Sequence, residues 1–79
     1  MREMKDDNGR VWDIESAGIF AERHRDGEDQ KLMHSQEGEW FIYAKGKTGP
    51  DGQSYEKIKP LSSDEAAHEL KEKDWQQVS

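Results

Sequence analysis

Three histidines, a Gly-Lys-Thr tripeptide and a knot of carboxylates are the groups in this chain whose type and spacing could do chemistry. Gly46-Lys47-Thr48 has the ending of a phosphate-binding loop, in which backbone N–H groups cradle a phosphate and the lysine reaches over it. That motif needs another glycine five residues before its last one, and Phe41 stands there. His24, His34 and His68 could offer imidazole nitrogens to a metal, but the chain has no cysteine and no His-x-x-x-His or His-Glu-x-x-His spacing. Asp26, Glu28 and Asp29 are hard oxygen donors without the twelve-residue ligand pattern of a calcium loop, so they read as a solvated turn. No Gly-x-Ser-x-Gly elbow occurs, and no spacing singles out a pair of carboxylates for acid–base work. The expectation is therefore a protein that is not an enzyme, with no catalytic, cofactor-binding or metal-ligating residues.

Two interaction surfaces remain. The first is acidic: Asp6, Asp7, Asp13, Glu15, Glu22, Asp26, Glu28 and Asp29 crowd into residues 1–30, which carry −4, within a chain of formal net charge −6. Such a surface suits a protein partner with a basic groove. A domain binding nucleic acid through its whole surface would be basic instead, because phosphate neutralisation supplies most of that affinity. The second surface is basic: Lys45, Lys47, Lys57 and Lys59 alternate with Tyr43 and Tyr55, a composition that could track phosphates while the rings stack on bases. The preferred reading of the same lysines is that they discourage aggregation at a strand edge.

These groups need elements to hold them. Asp7-Asn8-Gly9 predicts a turn between residues 2–6 and 10–14, with Met4 opposite Trp12 if Gly9 is the left-handed residue. Strands are expected over 19–25, 30–35, 40–44 and 54–59, with a long glycine-rich loop over 46–53. Trp40-Phe41-Ile42-Tyr43-Ala44 is apolar throughout and reads as a central strand covered on both faces. Ser62-x-x-Glu65 predicts a capping box, Leu61 and Ala66 a hydrophobic staple, and the helix should run to about residue 73. Pairing Arg25 with Gln30 and Gln36 with Glu39 would put Phe20, Met33, Trp40, Ile42 and Ile58 on one face, as a bed for Leu70 and Trp75. Leu32, Phe41, Tyr43 and Tyr55 would share the other face, lying under the first hairpin or facing a partner.

The fold expected is α+β: an antiparallel meander of four or five strands with one C-terminal helix on one face. Residues 1–79 would form a single domain, divided into a hairpin (2–14), a meander (19–59) and a helix (62–74). Only 30% of residues are hydrophobic against 38% charged, but seven aromatics spread along the chain supply the core of a folded domain. The absence of cysteine and of any long apolar run points to the cytoplasm and away from membranes.

Leu32-x-x-Ser35-x-x-Gly38-x-Trp40-Phe41-Ile42, then Tyr55-x-x-Ile58, then Leu61-Ser62-x-x-Glu65-Ala66 resembles a strand–turn–strand–strand–helix pattern of small bacterial, plasmid and phage proteins. The likeness covers residues 31–70. In size, acidity and want of catalytic groups the chain is also similar to anti-CRISPR and anti-restriction proteins. That resemblance implies an inhibitor of a host defence complex, carried by a mobile element. The residues expected to bind such a partner are Asp26, Glu28, Asp29, Leu32, Phe41, Tyr43 and Tyr55, in a monomer or homodimer without cofactor. A small nucleic-acid-binding accessory protein, or a domain with a structural role only, is the alternative.

Overall fold

Asp6 builds the first turn. Its carboxylate accepts hydrogen bonds from the backbone N–H groups of Asn8 (2.8 Å) and Arg10 (2.9 Å) and from the Trp12 indole (3.0 Å), while Gly9 takes φ +82°. The turn joins β1 (Glu3–Lys5) to β2 (Val11–Asp13), and Met4 lies opposite Trp12 as expected. The computed structural model describes residues 2–48, 50 and 52–78.

Asp26 and Gly27 both have positive φ, 54° and 77°, the pattern of a two-residue hairpin turn matched to strand twist. They connect β3 (Gly18–Arg25) to β4 (Glu28–His34) with Arg25 opposite Glu28, two residues away from the expected pairing with Gln30. A bulge between Ile19 and Ala21 interrupts the β3–β4 ladder at Phe20. The next turn closes on Ser35, whose N–H donates to the Glu39 carbonyl at 2.7 Å, with Gly38 at φ +87°. It pairs Met33 with Phe41 and Leu32 with Ile42 on β5 (Trp40–Thr48).

That register differs by one residue from the expected one, and a one-residue slip exchanges the faces. Met33 therefore joins Phe41 under the hairpin, and Leu32 joins Ile42 on the helix side. β6 (Gln53–Leu61) pairs Tyr43 with Ile58 and Gly46 with Tyr55, which likewise moves Ile58 to the hairpin side and Tyr55 to the other. The bulge at Phe20 offsets the slip in β3, so Phe20 still meets Trp40 edge to face, at 5.5 Å between ring centroids. Within the loop expected over 46–53, β5 and β6 claim both ends, and Gly49 and Asp51 lie outside the described residues.

α1 (Ser63–Leu70) starts as its sequence dictates. Ser62 Oγ accepts from the Glu65 N–H at 3.1 Å and the Glu65 carboxylate accepts from the Ser62 N–H at 3.0 Å. It stops three residues short of the expected end. Its buried residue is Ala66, whereas Leu70 is 42% exposed and does not enter the core with Trp40. The chain then returns as a short strand with no sequence signal, β7 (Gln76–Gln77), against β3.

The result is α+β: a five-stranded antiparallel sheet in the order β6-β5-β4-β3-β7, with the β1–β2 hairpin as a separate two-stranded sheet. Trp12, Ala17, Met33, Phe41, Tyr43 and Ile58 form the core under the hairpin. Ala21, Leu32 and Ile42, with Phe20, Trp40, Leu61 and Trp75 around them, form the core on the helix side. Among the described residues no helix is long and apolar enough to cross a membrane.

Candidate functional site

The β3–β4 turn places Glu28 at the start of β4 with its side chain turned inward, only 6% exposed. It accepts hydrogen bonds from the Tyr55 hydroxyl, from Gln30 Nε2 at 2.9 Å and from Lys57 Nζ at 2.9 Å. These donors, the tyrosine foremost, hold its carboxyl at about 2, well below the ordinary 4.5, and the carboxylate in turn raises the Tyr55 hydroxyl. Tyr55 reaches Glu28 by crossing the backbone at Gly46, where a Cβ would stand 2.7 Å from the hydroxyl oxygen. A side chain at this position would have to push the Tyr55 ring aside.

The network continues across the sheet. Gln30 accepts from Arg23 Nε at 2.6 Å, and Arg23 Nη1 donates to both Asp74 carboxylate oxygens at 3.3 Å and lies 3.5 Å from Glu69. The guanidinium sits 4.0 Å from the centre of the Trp75 ring, and the Trp75 indole donates to Glu69 at 3.0 Å. Arg23 is thus a buried cation, with a side chain 7% exposed, that ties the tail after α1 to β3. Its sequence, Glu22-Arg23-His24, looks like any exposed strand.

On the hairpin side, neighbouring strands align opposite charges: Glu22 with Lys31, and His24, Asp29, Lys45 and Glu56 in one cross-strand row. His24 Nδ1 is 2.7 Å from Asp29. Arg2 forks onto Glu56 and Arg10 onto Glu39, which clamps the hairpin to the main sheet at both ends. These pairs hold Glu56 and Glu39 below the usual carboxylate range.

The residues expected to bind a partner are dispersed by this arrangement. Leu32 and Phe41 are fully buried and Tyr43 nearly so, each packed as core between the sheet and one of its covers. Glu28 and Tyr55 satisfy each other inside the network. Asp6, counted with the acidic surface, is buried against Trp12, whose indole is the first cause of its lowered carboxyl pKa. Of the seven, Asp26 and Asp29 are exposed, Asp29 beside His24, and Tyr55 is half-buried.

The basic surface divides as well. Lys45 and Lys47 follow Tyr43 on the hairpin side, whereas Lys57 and Lys59 follow Tyr55 on the helix side. The histidines are apart: His34 lies against Trp40 at 4.6 Å between centroids, and His68 is 3.7 Å from Glu72. Among the described residues no group of three or more histidines and carboxylates could hold a metal ion.

What concavity exists is open groove. One of about 540 Å³ lies between hairpin and sheet, with Ile14, Ile19, Met33 and Tyr43 as its floor and Lys31 and Lys45 at its rim. Another, about 350 Å³, is a notch between Leu70, Trp75 and Phe20, with Glu72 and Gln77 also lining it. Comparison with protein families, with curated proteins and with solved structures found no match to this chain.

Proposed function

We propose that this chain is a small acidic protein-binding module, acting through its outer surface on a larger protein assembly. The observation that carries this reading is the fate of the two tyrosines. Stacking on bases needs aromatic faces presented together beside cations. Tyr43 and Tyr55 lie on opposite faces of the sheet, Tyr43 buried and bonded to Glu56, Tyr55 bonded to Glu28. Without that platform, a chain of −6 has little to offer a polyphosphate. Rigid strands carrying fixed charges of both signs suit a protein surface of complementary pattern. The partner class favoured is a host defence complex with a basic groove, which the chain would occupy as an inhibitor.

The first test is a gel shift with single-stranded and duplex oligonucleotides at low salt. No shift is expected at micromolar protein, and binding that salt abolishes would overturn the reading. The second is association with purified CRISPR or restriction complexes. The rate should fall as salt rises and fall again on charge reversal of Asp26 and Asp29, because steering is screened over roughly 10 Å at 0.1 M.

A further inference from the structure

The two outer edges of the main sheet are finished differently. β6 is a nine-residue edge carrying Glu56, Lys57, Lys59 and Pro60. Charge and proline are the usual devices against strand addition, since proline lacks a donor and a lysine resists burial. At the opposite edge, β7 is Gln76–Gln77, and Val78 continues the ladder by donating its N–H to the Phe20 carbonyl at 3.0 Å. Residues 75–78 contain neither a charge nor a proline.

Apolar side chains gather at that edge. Of the exposed large hydrophobics, Leu70 (42%) and Val78 (44%) belong to the end of α1 and to the continuation of β7. Leu70 also lines the notch with Phe20, Trp75 and Gln77. Charge singles out the same segment. Lys71 and Lys73 balance Glu72 and Asp74, so residues 71–78 carry no net charge within a chain of −6. A strongly basic partner gains little attraction there, and a second copy meets little of the repulsion that the rest of its surface would raise.

We propose that the β7 edge is a self-association surface. Two copies pair antiparallel through residues 76–78 about a two-fold axis, which joins their five-stranded sheets into one and brings Leu70 and Val78 toward the contact. Both β7 edges are consumed, and the outer strands of the joined sheet are then the lysine- and proline-bearing β6 strands, so assembly through this edge closes at two copies. The inference does not depend on the protein-binding reading, since a dimer could form whatever the partner.

Sedimentation equilibrium from micromolar to millimolar concentration tests it. The mass should rise from 9.2 kDa toward twice that value and no further. Added salt should strengthen the dimer, because it screens the repulsion of two acidic chains. Gln77→Lys with Val78→Lys should weaken it at least tenfold while circular dichroism of the monomer stays unchanged. Leu70→Lys, outside the strand, should weaken it too, and that variant keeps the test decisive if the lysines at 77 and 78 release the tail. A monomeric mass throughout, growth beyond two copies, or a dimer indifferent to Leu70→Lys overturns the proposal.

Discussion

Glu28 shows how one residue can look like a surface group and act as an internal one. In sequence it is one of three acids around a glycine; in the fold it is the acceptor for tyrosine, glutamine and lysine at once. Its carboxyl is held at about 2 against an ordinary 4.5. A carboxyl held below its ordinary value stabilises the fold above that value, and the contribution is lost as pH falls through the interval. Glu28→Gln should therefore lower stability at neutral pH by about 1–3 kcal/mol, as the amide turns one acceptor oxygen into a donor and removes the charge facing Lys57. It should also flatten the decline between pH 4.5 and 2, the window set by the two values. Melting temperatures of both proteins across that window check this; a wild-type acid limb in the variant would contradict the network.

At the scale of elements, the helix separates local from tertiary information. Its start is encoded in Ser62 and Glu65, which satisfy each other's backbone N–H groups. Ser62→Ala should cost about 1 kcal/mol, a drop of roughly 4–8 °C in melting temperature for a domain of this size. The far end obeys no such signal. Leu70 has the periodicity of a core residue, yet Ala66 makes the buried contact and Leu70 stays on the surface. Leu70→Ala should accordingly change stability of the monomer by less than about 0.5 kcal/mol. Melts of the two variants side by side, at low micromolar protein, decide it. The reverse order, with Leu70 costly and Ser62 neutral, would place the helix differently on the sheet.

At the scale of the molecule, one sheet serves two cores. The helix and tail cover Leu32 and Ile42, and the N-terminal hairpin covers Phe41 and Tyr43. Trp12 is the hairpin's main contribution, tilted against Phe41 at 4.7 Å with its indole bonded to Asp6. Trp12→Ala should cost about 3–5 kcal/mol. That is a large share of a net stability of roughly 5–15 kcal/mol. A urea titration should show the midpoint collapse, with no separate transition for the hairpin. An unchanged midpoint would mean that the hairpin is an independent appendage.

The sequence by itself determined what depends on near neighbours: the Asp-Asn-Gly turn and its Met4–Trp12 register, the strand at Trp40, the capping box, and the α+β meander these imply. Each is a matter of φ, side-chain hydrogen bonds or alternation within a few residues. Faces and partners were decided only by tertiary structure. A one-residue difference in the Ser35–Glu39 turn moved Leu32 and Met33 across the sheet, and the β5–β6 register moved Ile58 and Tyr55, and with them both expected binding surfaces. The Asp26-Gly27 dipeptide could have revealed the β3–β4 register, since a two-residue turn there also sets Glu22 opposite Lys31 and His24 opposite Asp29. Nothing local could have revealed buried Arg23 or the β7 edge. Arg23 is held by Gln30, Asp74 and Trp75, and Gln76–Gln77 is a strand because β3 offers it an edge to pair with. Apart from Gln30, seven positions on, those partners lie about fifty positions away, and their energy exists only once the sheet does.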